Sequence, residues 1–597
     1  MEWCLLGEGG RLRRKDFLCS ICPELKIYFD GNPVESHGIY FRERGAHFID
    51  FVMSVSLLRP MLLSSCVPRH QLTIHCLLAT QLKQLKDSKG REVKTTQTNS
   101  ALETYYKEQG TCHDIEELMA ACRKGLPTVF RVIPGRPESG HLRKKLEEGF
   151  LKVGGGTKIT WYPGKQSSVW KMGGNTRWDI KSAPELAQID KFLQEQFKAG
   201  RIYRQEQVSM VPVACLDIQP HHRVLDMCAS PGSKTGQVIE ALHSGPLPPT
   251  GFVIACEPDR ERCANLAGNT KLLPSPCRLA VSDEGQTFPE IWDSRGDVIR
   301  YDRIVCDVPC SGDGTIRKNP GVWESWSPAS GNHRHSLQLN IARRGVELLK
   351  EGGLMAYSSC SMNQVENEAV VATLLQEAEG NLELVDMTGQ LPGLHWLPGL
   401  SKWRVHDGNM QEYDSYKSVP ENLQPQLPPS IFSPSLQSVP SLKLHRCMRF
   451  LPTLNDDGGF FVAVLKKTGP VEEKKTKGRW KRVEGKRGIW GGERHNTKCK
   501  KLNHLLNTTE DLQFELSEEV EATCFELGLK VDQDNLLSMG GQGGVVHLVS
   551  PALRDILHHS NRHLKFAGSP GMRLLQRWKY VDCSSMQCNH AQESPWS

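Results

Sequence analysis

The chain has 597 residues, 38% of them hydrophobic and 24% charged, with a net charge of +6. That length exceeds a single hydrophobic core and implies several domains, most of them able to fold. Its 20 cysteines show no dense regular spacing, and the start, Met1 to Leu5, lacks a basic stretch followed by an apolar run, so reduced intracellular thiols are expected.

In the first stretch, Cys19-x-x-Cys22 has no second pair at zinc-ribbon spacing. It reads as unpaired thiols, and no metal site is expected. Phe51 to Val67 is the most apolar early run, but Arg59-Pro60 and several serines break it, so no membrane partner is expected. Leu72 to Leu85 has helical spacing. Residues 1–98 are set apart as an atypical N-terminal segment, a candidate for disorder, with no function assigned.

From Asn99 the character changes. Ser100–Lys107 and Ile115–Cys122 have helical spacing, Leu126–Val132 reads as a strand, and His141–Leu151 as a basic amphipathic helix before the glycine loop Gly154-Gly155-Gly156. Residues 99–182 suit an RNA-binding module, with Arg131, Arg143, Lys144 and Lys145 as contacts. A solvated basic helix face reads equally well.

Strands and helices then alternate. Strands are expected at Arg223–Met227, Phe252–Glu257, Arg278–Ser282, Arg303–Val308, Leu354–Ser358, Leu382–Asp386 and Phe460–Leu465. Helices fall at Leu186–Phe197, Lys234–Leu242, Arg260–Thr270, Leu337–Leu349 and Asn367–Glu377. This α/β alternation implies a doubly wound, largely parallel sheet over residues 183–467. Gly458-Gly459 precede the last strand, which suits a closing hairpin partner. Gln424–Ser441, rich in Pro, Ser and Gln, reads as an insertion.

Lys466 to Lys501 is strongly basic, about +10 net. Residues 468–510 read as a basic linker, suited to nuclear import or phosphate binding, with a plain solvated linker as the bland alternative. Residues 511–580 regain an apolar pattern, and 581–597 read as a disordered tail.

Two features carry chemistry. The strands expected at Arg303–Val308 and Leu354–Ser358 each deliver a cysteine, Cys310 and Cys360, to their C-terminal ends, where open parallel sheets gather their sites. The first strand leads into Cys228-Ala229-Ser230-Pro231-Gly232-Ser233-Lys234, small residues that let a ligand lie against backbone. This is neither a dinucleotide fingerprint nor a Walker loop. Acids follow at Glu257, Asp283 and Asp307, a set suited to a nucleoside cofactor without phosphates.

Asp226–Thr235, Asp302–Thr315 and Tyr357–Val370 closely resemble the Sun-domain (Fmu-type) family of RNA cytosine-5 methyltransferases, above all its eukaryotic tRNA branch. Agreement also covers Asn99–Gly110, Leu126–Arg131, Arg204–Pro212, Leu391–Lys402 and Arg449–Leu465. The resemblance implies a class I S-adenosylmethionine-dependent methyltransferase fold, a Rossmann-like seven-stranded sheet, with an N-terminal RNA-binding module and a small, partial PUA-like region at 511–580. It implies S-adenosyl-L-methionine held by Cys228–Lys234, Glu257, Asp283 and Asp307. It implies Cys360 as nucleophile and Cys310 as the residue that assists product release. The family's usual Asp stands as Glu257 here. RNA, tRNA first, is the expected partner, with no DNA, a monomeric chain, and the nucleus or nucleolus as location.

The chemistry explains the residue types. Cytosine C5 is a poor nucleophile, and thiolate addition at C6 makes it enamine-like. The thiolate needs a positive field, for which Lys234 and the cofactor's sulfonium are candidates. Asp307 suits the N3 side of the base, and the Pro309 carbonyl its exocyclic amine. Arg317, Lys318, Trp323 and Trp326 are candidates for RNA contact, though packing is the commoner fate of the tryptophans. Two other readings stand. A DNA cytosine methyltransferase would use the Cys310 position as its nucleophile. A non-catalytic RNA-binding scaffold would only retain the fold.

Overall fold

The computed structural model describes residues 97–134, 136–150, 155–163, 168–176, 184–245, 249–471, 533–539, 545–560, 564 and 570–577, with the isolated strands Phe17–Leu18, Leu25–Phe29, Ile39–Glu43, Ile49–Phe51, Leu512–Gln513 and Met586–Cys588. The Cys19-x-x-Cys22 pair, the expected Leu72–Leu85 helix, Gly154 and nearly all of the basic linker lie outside the described residues. The chain divides into two compact units, with residues 1–98 in one and nearly everything from Asn99 in the other. In the first, the four short strands between Phe17 and Phe51 pair antiparallel in sequence order. Ile, Tyr and Phe in Leu25–Phe29 and Ile39–Glu43 favour such strands.

The second unit is built on a nine-stranded sheet. Seven strands have the order β3-β2-β1-β4-β5-β7-β6: β1 Arg223–Asp226, β2 Phe252–Cys256, β3 Arg278–Val281, β4 Tyr301–Asp307, β5 Leu349–Ser359, β6 Leu382–Leu384 and β7 Phe460–Lys467. Neighbours from β3 to β5 are parallel; β7 runs antiparallel to both β5 and β6. Strands expected from buried apolar runs thus appear within a few residues of their sequence boundaries. The sheet extends past β7 through Met448–Phe450 and Leu397–Pro398, so β7 presents one end of its outer edge to β6 and the other to Met448–Phe450.

Helices Ser233–Leu242, Arg260–Thr270 and Glu368–Glu377 match the sequence pattern closely. The helix expected at Leu337–Leu349 is longer, Pro328–Leu348. Its first nine residues include Gly331, Asn332 and two serines, poor helix formers in isolation. Tertiary contacts hold them: Asn332 Nδ2 donates to the His406 carbonyl at 2.8 Å. Gly331 lies so close to the turn after β5 that an added Cβ would meet Asn363 Nδ2 at 2.4 Å.

The N-terminal elements pack into this body. Helix Ser100–Glu108 sends Tyr105 to Asn363 Oδ1 (2.8 Å) and Tyr106 to Asp313. Strand Pro127–Val132 lies between Ser168–Thr176 and Ile202–Arg204. Arg131, expected on the RNA side, is a correction: it is 1% exposed and its guanidinium pairs with Glu240 at 2.9 Å. Arg143, Lys144 and Lys145 lie on the helix Ser139–Lys145, and both lysines are exposed.

At the other end of the sheet, Ser550 N donates to Pro276 O and Gly571 N to Arg278 O, each at 2.9 Å. Helix Pro551–Ser560 buries Leu553, Ile556 and Leu557 in the main core. Met586–Cys588, in the stretch expected as a tail, pairs with Met572–Arg577. Among the described residues, no helix is long and apolar enough to cross a membrane.

Candidate active site

Sheet register sets the site. Asp307, the last residue of β4, is the register partner of Ser358 on β5. Ser358 Oγ donates to Asp307 Oδ1 at 2.7 Å, and Lys234 Nζ lies 2.7 Å from Asp307 Oδ2. Lys234 comes from the helix after β1 and also lies over the Phe460 ring, 5.2 Å from its centroid. Just past these partners the chain delivers the two thiols, and Cys310 Sγ lies 3.2 Å from Cys360 Sγ. The sequence reading placed Cys310, Cys360, Asp307 and Lys234 in one site, and the fold brings these four together.

The two thiols are not equivalent. The contact with Cys360, burial and nearby negative charge on Glu366 and Asp313 together push the Cys310 thiol well up. In the thiol pair either sulfur can be the donor.

The turn after β4 is locked from behind. Gly314 N donates to Cys360 O at 3.0 Å, and Gly459 N to Gly314 O at 2.8 Å. A Cβ on Gly314 would sit 2.1 Å from Gly459 O, so only glycine permits this crossing. The Gly458-Gly459 pair thus sets β7 against the Cys360 backbone. Asp313 accepts from Met362 N at 2.8 Å and Trp326 Nε1 at 3.2 Å as well as from Tyr106, and burial raises its pKa despite these donors.

Several expected contacts are reassigned. Arg317 is buried and donates to the carbonyls of Lys124, Gly125 and Asp457, a clamp between loops. Trp323 and Trp326 are buried. Lys318 is paired with Glu206, whose Oε1 accepts from Gly458 N at 3.1 Å. Burial opposes the charge on Lys318, but Glu206, with lesser help from Cys360 and Asp307, raises its pKa overall. Its ammonium therefore adds to the positive field that the sequence reading gave to Lys234. The Pro309 carbonyl is already engaged: Gln338 Nε2 donates to it at 2.9 Å, leaving one lone pair.

The cofactor loop lies between β1 and its helix. Met227 N donates to Val305 O and Ala229 N to Cys256 O, both at 2.9 Å, which ties the loop to neighbouring strands. Ser230-Pro231 is cis, and Gly232 at φ +105° turns the chain into the helix that begins at Ser233. Burial pushes the Cys228 thiol well up, so it is no nucleophile. Glu257 and Asp283 follow the adjacent ends of β2 and β3 and are both buried. Glu257 Oε1 accepts from Asp259 N, and its Oε2 lies 3.1 Å from Arg262 Nη2.

These residues fit S-adenosylmethionine. Asp226 Oδ2 accepts from Thr235, but Oδ1 is buried with no donor. Burial pushes this carboxyl up to about 7. The open acceptor on Asp226 and carboxylates at the two neighbouring strand ends suit a nucleoside bearing ammonium and hydroxyl donors, and Ala229 of the loop packs in a small buried cluster with Ala255, Cys263, Leu266, Ala267 and Ala280.

Residues 213–395 match the 16S rRNA methyltransferase RsmB/F family. The chain is 34% identical over 520 residues to the multisite-specific tRNA:(cytosine-C(5))-methyltransferase of Saccharomyces cerevisiae, covering 81% of this chain and 74% of that protein. It is 39% identical over 391 residues to the tRNA (cytosine(34)-C(5))-methyltransferase of Drosophila melanogaster, covering 61% of this chain. It spans only 52% of that relative and 60% of the related tRNA methyltransferase of Schizosaccharomyces pombe, to which it is 36% identical over 63% of its own length. The strand order, the site at the sheet edge and these matches agree: the chain belongs to the RsmB/F family of RNA (cytosine-C5) methyltransferases, alongside the eukaryotic tRNA enzymes.

Proposed function

We propose that the chain methylates C5 of cytosine in RNA, tRNA first, with S-adenosyl-L-methionine. The observation that carries this reading is the thiol pair, 3.2 Å apart at the ends of adjacent strands and beside the Lys234–Asp307–Ser358 group. Cys360 attacks C6 as the thiolate, and Cys310 donates a hydrogen bond to it. Asp307, fixed by Lys234 and Ser358, meets the N3 side of the flipped base and passes a proton to N3, which neutralises the negative charge that gathers there as the thiolate adds. The cofactor, seated on Cys228–Lys234, Glu257 and Asp283, supplies an electrophilic methyl group. When C5 gives up its proton to water, the C5–C6 double bond re-forms and the C6–S bond breaks, its electron pair returning to Cys360 as thiolate, with Cys310 the neighbouring group within reach of the departing sulfur. The two thiols thus split one difficult substitution into an addition and an elimination.

Family relatives named for tRNA favour tRNA over DNA as substrate. The basic stretch from Lys474 to Arg487 favours nuclear import, and the chain is taken to act as a monomer. The test uses the full chain with radiolabelled tRNA. Cys310→Ala should accumulate an RNA–protein adduct that survives denaturing electrophoresis, and Cys360→Ala should form none and release no methylated RNA. Turnover by Cys360→Ala would move the nucleophile to Cys310, as in a DNA cytosine methyltransferase. A Cys310→Ala variant that traps nothing, from a wild type that methylates nothing, would leave an RNA-binding scaffold.

A further inference from the structure

One buried carboxylate plays no part in the chemistry above. Glu366 lies six residues beyond Cys360 and is 0% exposed. Its Oε1 accepts from Ser311 N at 2.8 Å and from Gln338 Nε2 at 2.9 Å. Its Oε2 accepts from Ser361 Oγ at 2.7 Å and from Ser311 Oγ. Ser311 follows Cys310 and Ser361 follows Cys360, so both cysteine loops end on one side chain. The same Gln338 amide that reaches Glu366 holds the Pro309 carbonyl. Gly331 closes the far side, where an added Cβ would sit 3.2 Å from Oε2.

We propose that Glu366 is a positioning residue for methyl transfer, holding the Cys310 loop and the Cys360 loop in register through its single carboxylate. The inference rests on the methyltransferase reading of the same site. Four donors converge on two oxygens, and they differ in kind. The two at Oε1 are N–H groups, which can only donate. The two at Oε2 are hydroxyls, which can turn and accept. A proton or an amide nitrogen at the Oε2 position is therefore accommodated, whereas loss of the head group leaves buried donors without partners. Burial and then the charge of Asp313 push Glu366 up to about 7. Cys310, Tyr105, Tyr106 and Tyr357 also face it, and all four are groups whose pKa is raised, so none brings a charge against it. The carboxylate thus keeps its four contacts in either protonation state, which suits a fixed spacer and not a group that must hand protons to substrate.

The test compares full-length Glu366→Ala and Glu366→Gln, each in the Cys310→Ala background for the rate of adduct trapping and in the native background for turnover. Misplacing a nucleophile by about 1 Å costs on the order of 100-fold. Glu366→Ala is expected to slow trapping by roughly that factor with KM for tRNA little changed, and Glu366→Gln to restore most of it. If Glu366→Ala does not fold, Ser311→Ala and Ser361→Ala replace it: each should slow trapping, and the pair should be non-additive because both act through one carboxylate. Trapping by Glu366→Ala at the parental rate overturns the proposal. So does a Glu366→Gln variant as slow as the alanine variant, or a pair of serine variants without effect. A parental Cys310→Ala protein that traps no RNA overturns the methyltransferase reading itself, which separates the two failures.

Discussion

Cys310 Sγ lies 3.2 Å from Cys360 Sγ, about 1.2 Å beyond a disulfide bond length. Peroxide would oxidise one thiolate to a sulfenic acid, and the other thiol would displace water to form a disulfide. Exposure to dilute hydrogen peroxide is therefore expected to abolish methylation, with full recovery in dithiothreitol. Peptide mapping should find the Cys310–Cys360 cross-link. Inactivation with both thiols still separate would contradict the geometry.

The Lys234–Asp307 pair should matter for rate far more than for stability. Its side chains are 11% and 27% exposed, so the ion pair is partly screened by water. Asp307→Ala should lower kcat on the order of 100-fold or more. Thermal unfolding should stay near that of the wild type. A large fall in Tm with an equal fall in activity would make the pair structural.

Asp457 gives a pH signature. Burial pushes its carboxyl up to about 8, and Oδ2 has no partner. An ordinary Asp in the unfolded chain titrates near 3.9. Between those values the folded state holds the extra proton, so the stability Asp457 contributes is fully present near pH 4 and is lost as pH rises through about 8. Asp457→Asn should remove that loss. The difference in Tm between variant and wild type should grow from pH 5 to pH 9 in favour of the variant, and a constant difference would refute the assignment.

The glycine crossing behind Cys360 should tolerate no side chain. A Cβ on Gly459 would lie 2.5 Å from Met362 Cγ and 2.8 Å from Gly314 Cα. Gly459→Ala should cost roughly 1–3 kcal/mol in unfolding free energy. Because Gly314 N holds the Cys360 carbonyl, adduct formation should fall as well. Denaturant melts and adduct trapping on the same preparation check both.

Arg131 and Lys144 should separate structure from RNA binding. Arg131→Met leaves Glu240 buried without its partner, at a cost of about 3–5 kcal/mol. Lys144→Ala removes an exposed charge on the neighbouring helix and should leave the melt unchanged. If that helix face meets phosphate, the log–log salt slope of tRNA binding should drop by somewhat less than one.

The sheet was legible because its strands are short apolar runs closed by Gly, Pro or Asp, and burial on both faces leaves little ambiguity in such runs. Cys310, Cys360 and Asp307 were legible because each lies within about three residues of a strand end, and Lys234 because it opens the helix that follows the small-residue loop after β1. What the sequence hid depends on register. Ser311, Gln338, Ser361 and Glu366 look like four ordinary polar residues until β4 and β5 are paired and the Pro328–Leu348 helix is laid across them. Arg131 misled for the complementary reason: charge is visible in a sequence, but its partner Glu240, more than a hundred residues away, is not. The early turns of the Pro328–Leu348 helix had no propensity signal, since tertiary contacts hold residues that prefer other conformations.

The place of β7 has a consequence for synthesis on the ribosome. β5, which leads to Cys360, is complete at Ser359, yet its outer neighbour is Phe460–Lys467, about a hundred residues later in translation. Until that segment leaves the exit tunnel, the nascent chain carries an open strand edge next to its future nucleophile, and open edges invite mispairing. A chain cut anywhere between Ser361 and Phe460 would keep both cysteines and the cofactor loop and still lack the wall that closes β5. Proteolytic fragments and premature termination products of that kind should be recovered as aggregates or chaperone clients, with no partial activity.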